Sequence, residues 1–216
     1  MTERKLPIIN VIHEDEFCVV INKPAGLAVQ GGTGVKVSVD ALLSAMYPEK
    51  PLLVHRLDKE TSGALLLAKT KRVAAYFSSL IAAGEIIKRY IAVCAIPPEL
   101  PAPPSRGVIE LPLQYRDGEK AARTKWKIKK RAAGWTVLEL ELDTGRTHQI
   151  RRHLAALGWH LLGDERYGNF KLNKRLRKEL QLKNMLLHAA SLCAPLPDGS
   201  ILNALARPPA YFDSFL

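Results

Sequence analysis

Residues 55–70 read HRLDKETSGALLLAKT: a histidine, an arginine, two acids, a lysine and two hydroxyls stand directly before an unbroken apolar run. Such a run, bounded by turn residues, suits a strand buried on both faces. Ionisable groups at the mouth of a buried strand are costly unless they are paired or put to use. Taken alone, the stretch also fits a polar turn, since Asp, Lys, Thr, Ser and Gly are ordinary turn residues. A second concentration of polar groups lies in DTGRTHQIRRHLAALG (143–158), where Arg146, His148, Arg151, Arg152 and His153 crowd the first turns of a helical pattern. Cations at a helix N-terminus oppose the helix dipole, so a phosphate or a buried carboxylate must compensate them.

Other chemistries are poorly supported. The loop Gly31-Gly32-Thr33-Gly34 lacks the spaced Gly-Lys-Ser/Thr of a phosphate-binding P-loop. Glu139, Glu141 and Asp143 share one strand face and suggest a metal site, but a wet sheet face explains them better. The histidines are too few and wrongly spaced for a zinc motif, so neither metal nor cofactor is expected.

These groups need elements to hold them. FCVVIN (17–22) reads as a strand ended by Lys23-Pro24-Ala25-Gly26. Val39, Leu42, Leu43 and Met46 mark a short helix stopped by Pro48, and Val73, Phe77, Leu80 and Ile81 mark another ending near Gly84. IIKRYIAVCAI (86–96) reads as a central strand. The prolines between 97 and 104 break regular structure, in a loop within one domain spanning 1–216. Residues 123–129 alternate basic and mostly apolar, giving a strand with Lys125, Lys127 and Lys129 on a cationic face. TVLELEL (136–142) alternates as well. Ile150, Leu154 and Leu157 give a helix with Gly158 at C′ and Thr144 or Thr147 as N-cap. In KLNKRLRKELQLK (171–183), Leu172, Leu176 and Leu180 line one side of a helix whose outer face carries Lys174, Arg175 and Lys178.

Thirty-two Lys and Arg against twenty-one Asp and Glu leave a net charge of +11, a field that favours polyanions such as nucleic acid. Cys18, Cys94 and Cys193 are odd in number and set among apolar residues, which suits free thiols in a reducing cytoplasm rather than a disulfide framework. No apolar run reaches a membrane span, and the opening MTERKLPIIN lacks the apolar stretch of a secretory signal.

With these segments in view, the sequence resembles the RluA family of RNA pseudouridine synthases. HRLDKETSGALLLAKT matches the family signature. NKPAG (22–26), KRYIAV (88–93), GRTHQIRRHLAALG (145–158), GDERYG (163–168) and LLHAASL (186–192) follow in the family's order. The resemblance implies an α+β fold with a mixed, largely antiparallel central sheet, flanking helices and a cleft across the sheet. It implies isomerisation of uridine to pseudouridine without a cofactor, with Asp58 acting either as a nucleophile at C1′ or by removing the 2′ proton. Arg151 corresponds to the arginine paired with that aspartate. Arg56 corresponds to the residue that displaces the target nucleotide. Tyr90 corresponds to the tyrosine that stacks on the flipped uracil, and Ile150 lies against the pocket from the other side.

The expected RNA contacts are His55, Lys125, Lys127, Lys129, Arg146, His148, Arg152, Lys174, Arg175 and Lys178. His55, Thr61, Ser62 and Gly63 also hold the loop's shape. Gln30, where many relatives carry histidine, and Ala194-Pro195-Leu196-Pro197 depart from the family pattern away from the chemistry. No N-terminal S4-type domain is seen. A cytoplasmic monomer acting on large-subunit ribosomal RNA is the expectation; a transfer-RNA enzyme, or a catalytically silent assembly factor of the same fold, is the alternative.

Overall fold

The computed structural model describes residues 8–216. Residues 1–7, part of the opening read above as lacking a secretory signal, lie outside the described residues. The fold is α+β. One large sheet runs in the order β1 (Asn10–Glu14), β2 (Cys18–Lys23), β4 (Ser62–Ala68), β12 (Leu187–Pro195), β5 (Ile87–Ala95), β10 (Trp135–Leu142), β9 (Thr124–Ala132) and β6 (Arg106–Ile109). Short strands β3 (Leu52–Leu53), β11 (His160–Leu161) and β13 (Ile201–Leu205) pair onto β4, β5 and β12, and β7 (Leu113–Tyr115) and β8 (Gly118–Lys120) form a separate hairpin. The pairings in the large sheet are antiparallel except β4 with β12, so the sheet is mixed and largely antiparallel, as expected. The proline-rich stretch joins β5 to β6, and strands from both sides of it meet in the same sheet.

β4 is buried at every residue, as its unbroken apolar run requires. Leu65 and Leu67 pack in one cluster with α1 (Val39–Met46) and α3 (Gln149–Ala156). Ala64, Leu66 and Ala68 pack in the other, with α2 (Lys71–Ala83). A third cluster joins Val93 and Val137 to Leu176 of α4 (Phe170–Glu179) and to Phe212 and Phe215. The parallel β4–β12 contact begins immediately after the polar cluster, at Ser62↔His188 and Gly63↔Ala189. Gly63 has φ +115°, and a Cβ there would stand 2.2 Å from the Ala189 carbonyl oxygen. Only glycine permits that approach, and it fixes where the preceding loop meets the sheet.

Two helix ends differ from expectation. Neither Thr144 nor Thr147 caps α3. His148 occupies the cap position with φ +54° and makes no side-chain cap bond. The Gln149 carboxamide oxygen instead accepts from the Arg146 N–H (3.0 Å) and the Thr144 hydroxyl (2.7 Å), closing the turn from inside the helix. Gly158 does serve as C′: its N–H bonds Ala155 while the Trp159 N–H bonds Leu154, both at 2.9 Å. α4 ends at Glu179, one residue before Leu180, which is therefore exposed rather than on the apolar side; Leu182 takes the buried position beyond the turn.

Candidate active site

Asp58 lies in the loop between β3 and β4, at the mouth of the buried strand. Its carbonyl accepts from the Thr61 N–H at 3.1 Å, so the loop is a closed turn. The turn is anchored from behind by Lys23, whose fully buried ammonium donates to the carbonyls of Pro24, Leu27 and Lys59 at 3.0, 2.8 and 3.1 Å. Burial pushes the Lys23 pKa down to about 8, and the charges of Glu60 and Asp58 offset only part of that loss of hydration. Ser62 bonds His188 at 2.9 Å, and the His55 Nε2 accepts from the Leu66 N–H at 3.0 Å. His55 is thereby committed to loop shape, and burial pushes its pKa well down, so the ring is neutral.

The Asp58 carboxylate is 17% exposed and faces two cations or potential cations: Arg151 Nη1 at 3.4 Å and His148 Nε2 at 3.7 Å. The expected Asp58–Arg151 pair is present, but it is not the principal contact of Arg151. Asp164, fully buried, takes the arginine in a two-pronged grip: Nε to Oδ2 at 2.7 Å and Nη2 to Oδ1 at 2.9 Å. The acid that compensates the cation-rich start of α3 is therefore chiefly Asp164, with Asp58 second. Burial alone would raise the Asp164 pKa. Arg151 and the N–H groups of Tyr167 and Arg166 outweigh it and hold the carboxyl below its usual range. Asn173 of α4 braces the same turn, accepting from the Gly163 N–H and donating to the Asp164 carbonyl.

Tyr167 closes the assembly. Its ring lies under the Arg151 guanidinium at 5.1 Å, and its hydroxyl meets His148 Nδ1 at 3.0 Å. Burial lowers the His148 pKa more than the Asp58 charge raises it. A neutral ring with its proton on Nε2 satisfies both neighbours, accepting from Tyr167 and presenting N–H to Asp58.

Two cavities meet at Asp58. The smaller, about 260 Å³, is walled by Tyr90, Ile150, Leu187, Lys88, Arg56, His55, Arg146, His148 and Arg151. The larger, about 750 Å³, shares Arg56, His148 and Arg151 and continues along Gln30, Gly31, Arg166, Lys183 and Asn184. Tyr90 is nearly buried, and burial followed by the charge of Asp58 raises its hydroxyl pKa, so it is a neutral phenol. Arg56 is exposed beside both cavities.

The catalytic and supporting residues drawn from the sequence, Asp58, Arg56, Tyr90, Arg151 and Ile150, thus line one space. The chain matches the RNA pseudouridylate synthase family over residues 17–156. This protein belongs to that family. It is 34% identical over 227 residues to "Ribosomal large subunit pseudouridine synthase C" of Buchnera aphidicola subsp. Schizaphis graminum, covering all of this chain and 72% of the relative. The protein of the same name from Rickettsia felis is 35% identical over 228 residues, covering 99% and 72%. Among solved structures, human RNA pseudouridylate synthase domain containing 4 superposes with a TM-score of 0.78 at 27% identity, covering 94% of this chain and 90% of that one. The enzyme isomerises uridine in RNA.

The expected RNA contacts lie on several elements of the synthase. Arg146 and His148 stand at the cavity. Arg152 lies over the Tyr115 ring at 5.1 Å and donates to the Gln114 carbonyl. Lys125 and Lys129 do lie on the outer face of β9, but the register with β10 sets them against its acids. Lys125 meets Asp143 at 2.9 Å and Glu141 at 3.2 Å, and Lys129 meets Glu139 at 3.5 Å. The carboxylates read as a wet sheet face are therefore the counter-ions of the basic strand. Lys127 is exposed on that strand without an ion pair among the described residues. On α4, Lys174 and Lys178 are exposed, and Arg175 pairs loosely with Glu179 at 3.7 Å. Asp164 and Tyr167, both within GDERYG, are site residues that the sequence signals only through a cation-rich helix start in need of an acid.

No helix among the described residues is long and apolar enough to cross a membrane.

Proposed function

We propose that the synthase converts a uridine of large-subunit ribosomal RNA to pseudouridine, with Asp58 acting on the ribose of a nucleotide flipped into the smaller cavity. The observation that carries this reading is the placement of one carboxylate between Arg151 and His148, at the junction of a small cavity walled in part by Tyr90, Ile150 and Leu187 and a wider basic cleft. Arg151, 3.4 Å from the carboxylate, holds it facing the cavity for attack at C1′ or for taking the 2′ proton. Tyr90 and Ile150 offer the faces between which a uracil ring stacks. Arg56, at the rim, fills the space the nucleotide leaves, offsetting part of an unstacking cost of roughly a few kcal/mol. The names of the relatives favour large-subunit ribosomal RNA as the target class.

The test is tritium release from RNA labelled at uridine C5, with EDTA present, on large-subunit ribosomal and transfer RNA transcripts. The proposal expects release from the ribosomal transcript; release confined to transfer RNA, or none on either, overturns it.

RNA affinity falls with salt as phosphate contacts are lost, and the uncompensated lysines are the ones that contribute. Replacing Lys174 and Lys178 together by alanine should lower the slope of log K against log salt by about 0.7–0.9 per contact. Lys125→Ala should leave the slope nearly unchanged, because that ammonium is already paired with Asp143 and Glu141. Filter binding between low and moderate salt separates the two results.

A further inference from the structure

Along β5 alternate side chains point to opposite faces, so Lys88 and Tyr90 share the cleft side. Arg89 between them faces away and is paired with Glu141 at 3.1 Å. Lys88 has no equivalent: among the described residues its ammonium forms neither an ion pair nor a hydrogen bond. It stands half-buried in the wall of the cavity that holds Asp58 and Tyr90, with its Nζ beside Gly145. Burial lowers its pKa, and no neighbouring acid offsets that cost. A lysine with no task would carry its ammonium out to water on its flexible stem.

A cation kept at such a site is matched to negative charge that arrives with the substrate. Within the cavity Asp58 marks the ribose end. Tyr90 and Lys88, two residues apart on the same side of β5, line this cavity together with Asp58. A ring stacked on Tyr90 with its ribose at Asp58 lies against the same cavity wall as the Lys88 side chain, unpaired among the described residues. We propose that Lys88 contacts the carbonyl edge of the flipped uracil and stabilises the negative charge the base acquires when its bond to ribose breaks. The inference rests on the assignment of Asp58 and Tyr90 given above.

The electron count requires such a charge whichever way Asp58 acts. When C1′–N1 breaks, both electrons leave with the base and spread over N1, O2 and O4. C1′ is left bonded to an Asp58 oxygen, or doubly bonded to C2′ after Asp58 takes the 2′ proton. The turned base then bonds C1′ through C5, releasing the carboxylate or recovering the 2′ proton. C5 loses its proton and N1 gains one, so the product is an isomer. A donor aimed at developing charge in a water-poor site contributes about 10²–10³-fold to rate.

Single-turnover rates and RNA affinities of wild type, Lys88→Met and Lys88→Arg test this, with Asp58→Ala as reference. Lys88→Met should bind RNA within about twofold of wild type, with an unchanged salt slope, and react about 10²-fold more slowly. Lys88→Arg should recover part of the rate. RNA carrying 5-fluorouridine, whose base departs more readily as an anion, should narrow the gap between Lys88→Met and wild type, read as loss of the fluorinated nucleoside from digests. If Lys88→Met fails to fold, Lys88→Gln carries the same comparison. A loss that appears as weaker binding with a shallower salt slope would assign Lys88 to a phosphate and overturn the proposal, as would an unchanged rate. Activity retained by Asp58→Ala would defeat the underlying assignment instead.

Discussion

Asp58→Ala should abolish pseudouridine formation, lowering the single-turnover rate by at least about 10⁴-fold, while RNA affinity stays at or slightly above that of wild type. Neither route to product survives the change, since methyl neither attacks C1′ nor accepts the 2′ proton. Asp58→Asn should be equally inert although it preserves shape. Folding should be little affected. Arg151 keeps its two-pronged contact with Asp164 and gives up only the 3.4 Å contact to Asp58. Removing a negative group from a basic cleft also removes a repulsion toward phosphate. Tritium release and filter binding on the same preparations measure both quantities, and a variant that turns over at a substantial rate would sink the mechanism.

Arg151→Ala should be the most damaging single change to stability. It strands Asp164, fully buried, with only backbone N–H groups from Arg166 and Tyr167 to hold its charge. Leaving a buried charge unpaired costs about 3–5 kcal/mol, which in a chain of this size lowers the unfolding temperature by roughly 6–20 °C. The pH dependence identifies the cause. In wild type the folded-state pKa of Asp164 is depressed, so its contribution is present above the ordinary carboxylate value of 3.8 and is lost as pH falls through the lower folded value. In the variant the same carboxyl is buried without its cation and its pKa rises. Acid then neutralises the stranded charge, and the deficit relative to wild type should shrink as pH falls toward 4. Thermal unfolding at pH 7 and pH 4 reads this directly; a deficit independent of pH would point to lost packing of the arginine stem instead.

The two variants separate roles that meet at one guanidinium. Arg151 joins a carboxylate exposed to the cleft, Asp58, to one sealed from it, Asp164, with Tyr167 stacked alongside and bonded to His148. The sealed pair, braced by Asn173 from α4, gives the guanidinium a fixed position. In the mechanism proposed above, that fixed position would orient the exposed acid, as positioning of a reacting group requires. The basic helix α4 thus contributes inward, through Asn173, as well as outward, through Lys174 and Lys178.

By itself the sequence determined what depends on local period and composition. The apolar run 64–68 announced a strand buried on both faces, Val73, Phe77 and Leu80 announced α2, and the colinear motifs placed Asp58, Arg56, Tyr90 and Arg151 in one site. Burial repeats every two or every 3.6 residues, so it can be read from neighbours in the chain. Charge pairing has no such period. Only the tertiary structure decided that Arg151 belongs first to Asp164, and that Lys125 and Lys129 are answered by the acids of β10 through strand register. It also decided that Lys88, alike in sequence to paired Arg89, is left facing the cavity without a partner among the described residues. Those outcomes depend on which distant backbone segments come within about 4 Å of a charged head group, a distance that only the assembled sheet and its packed helices define.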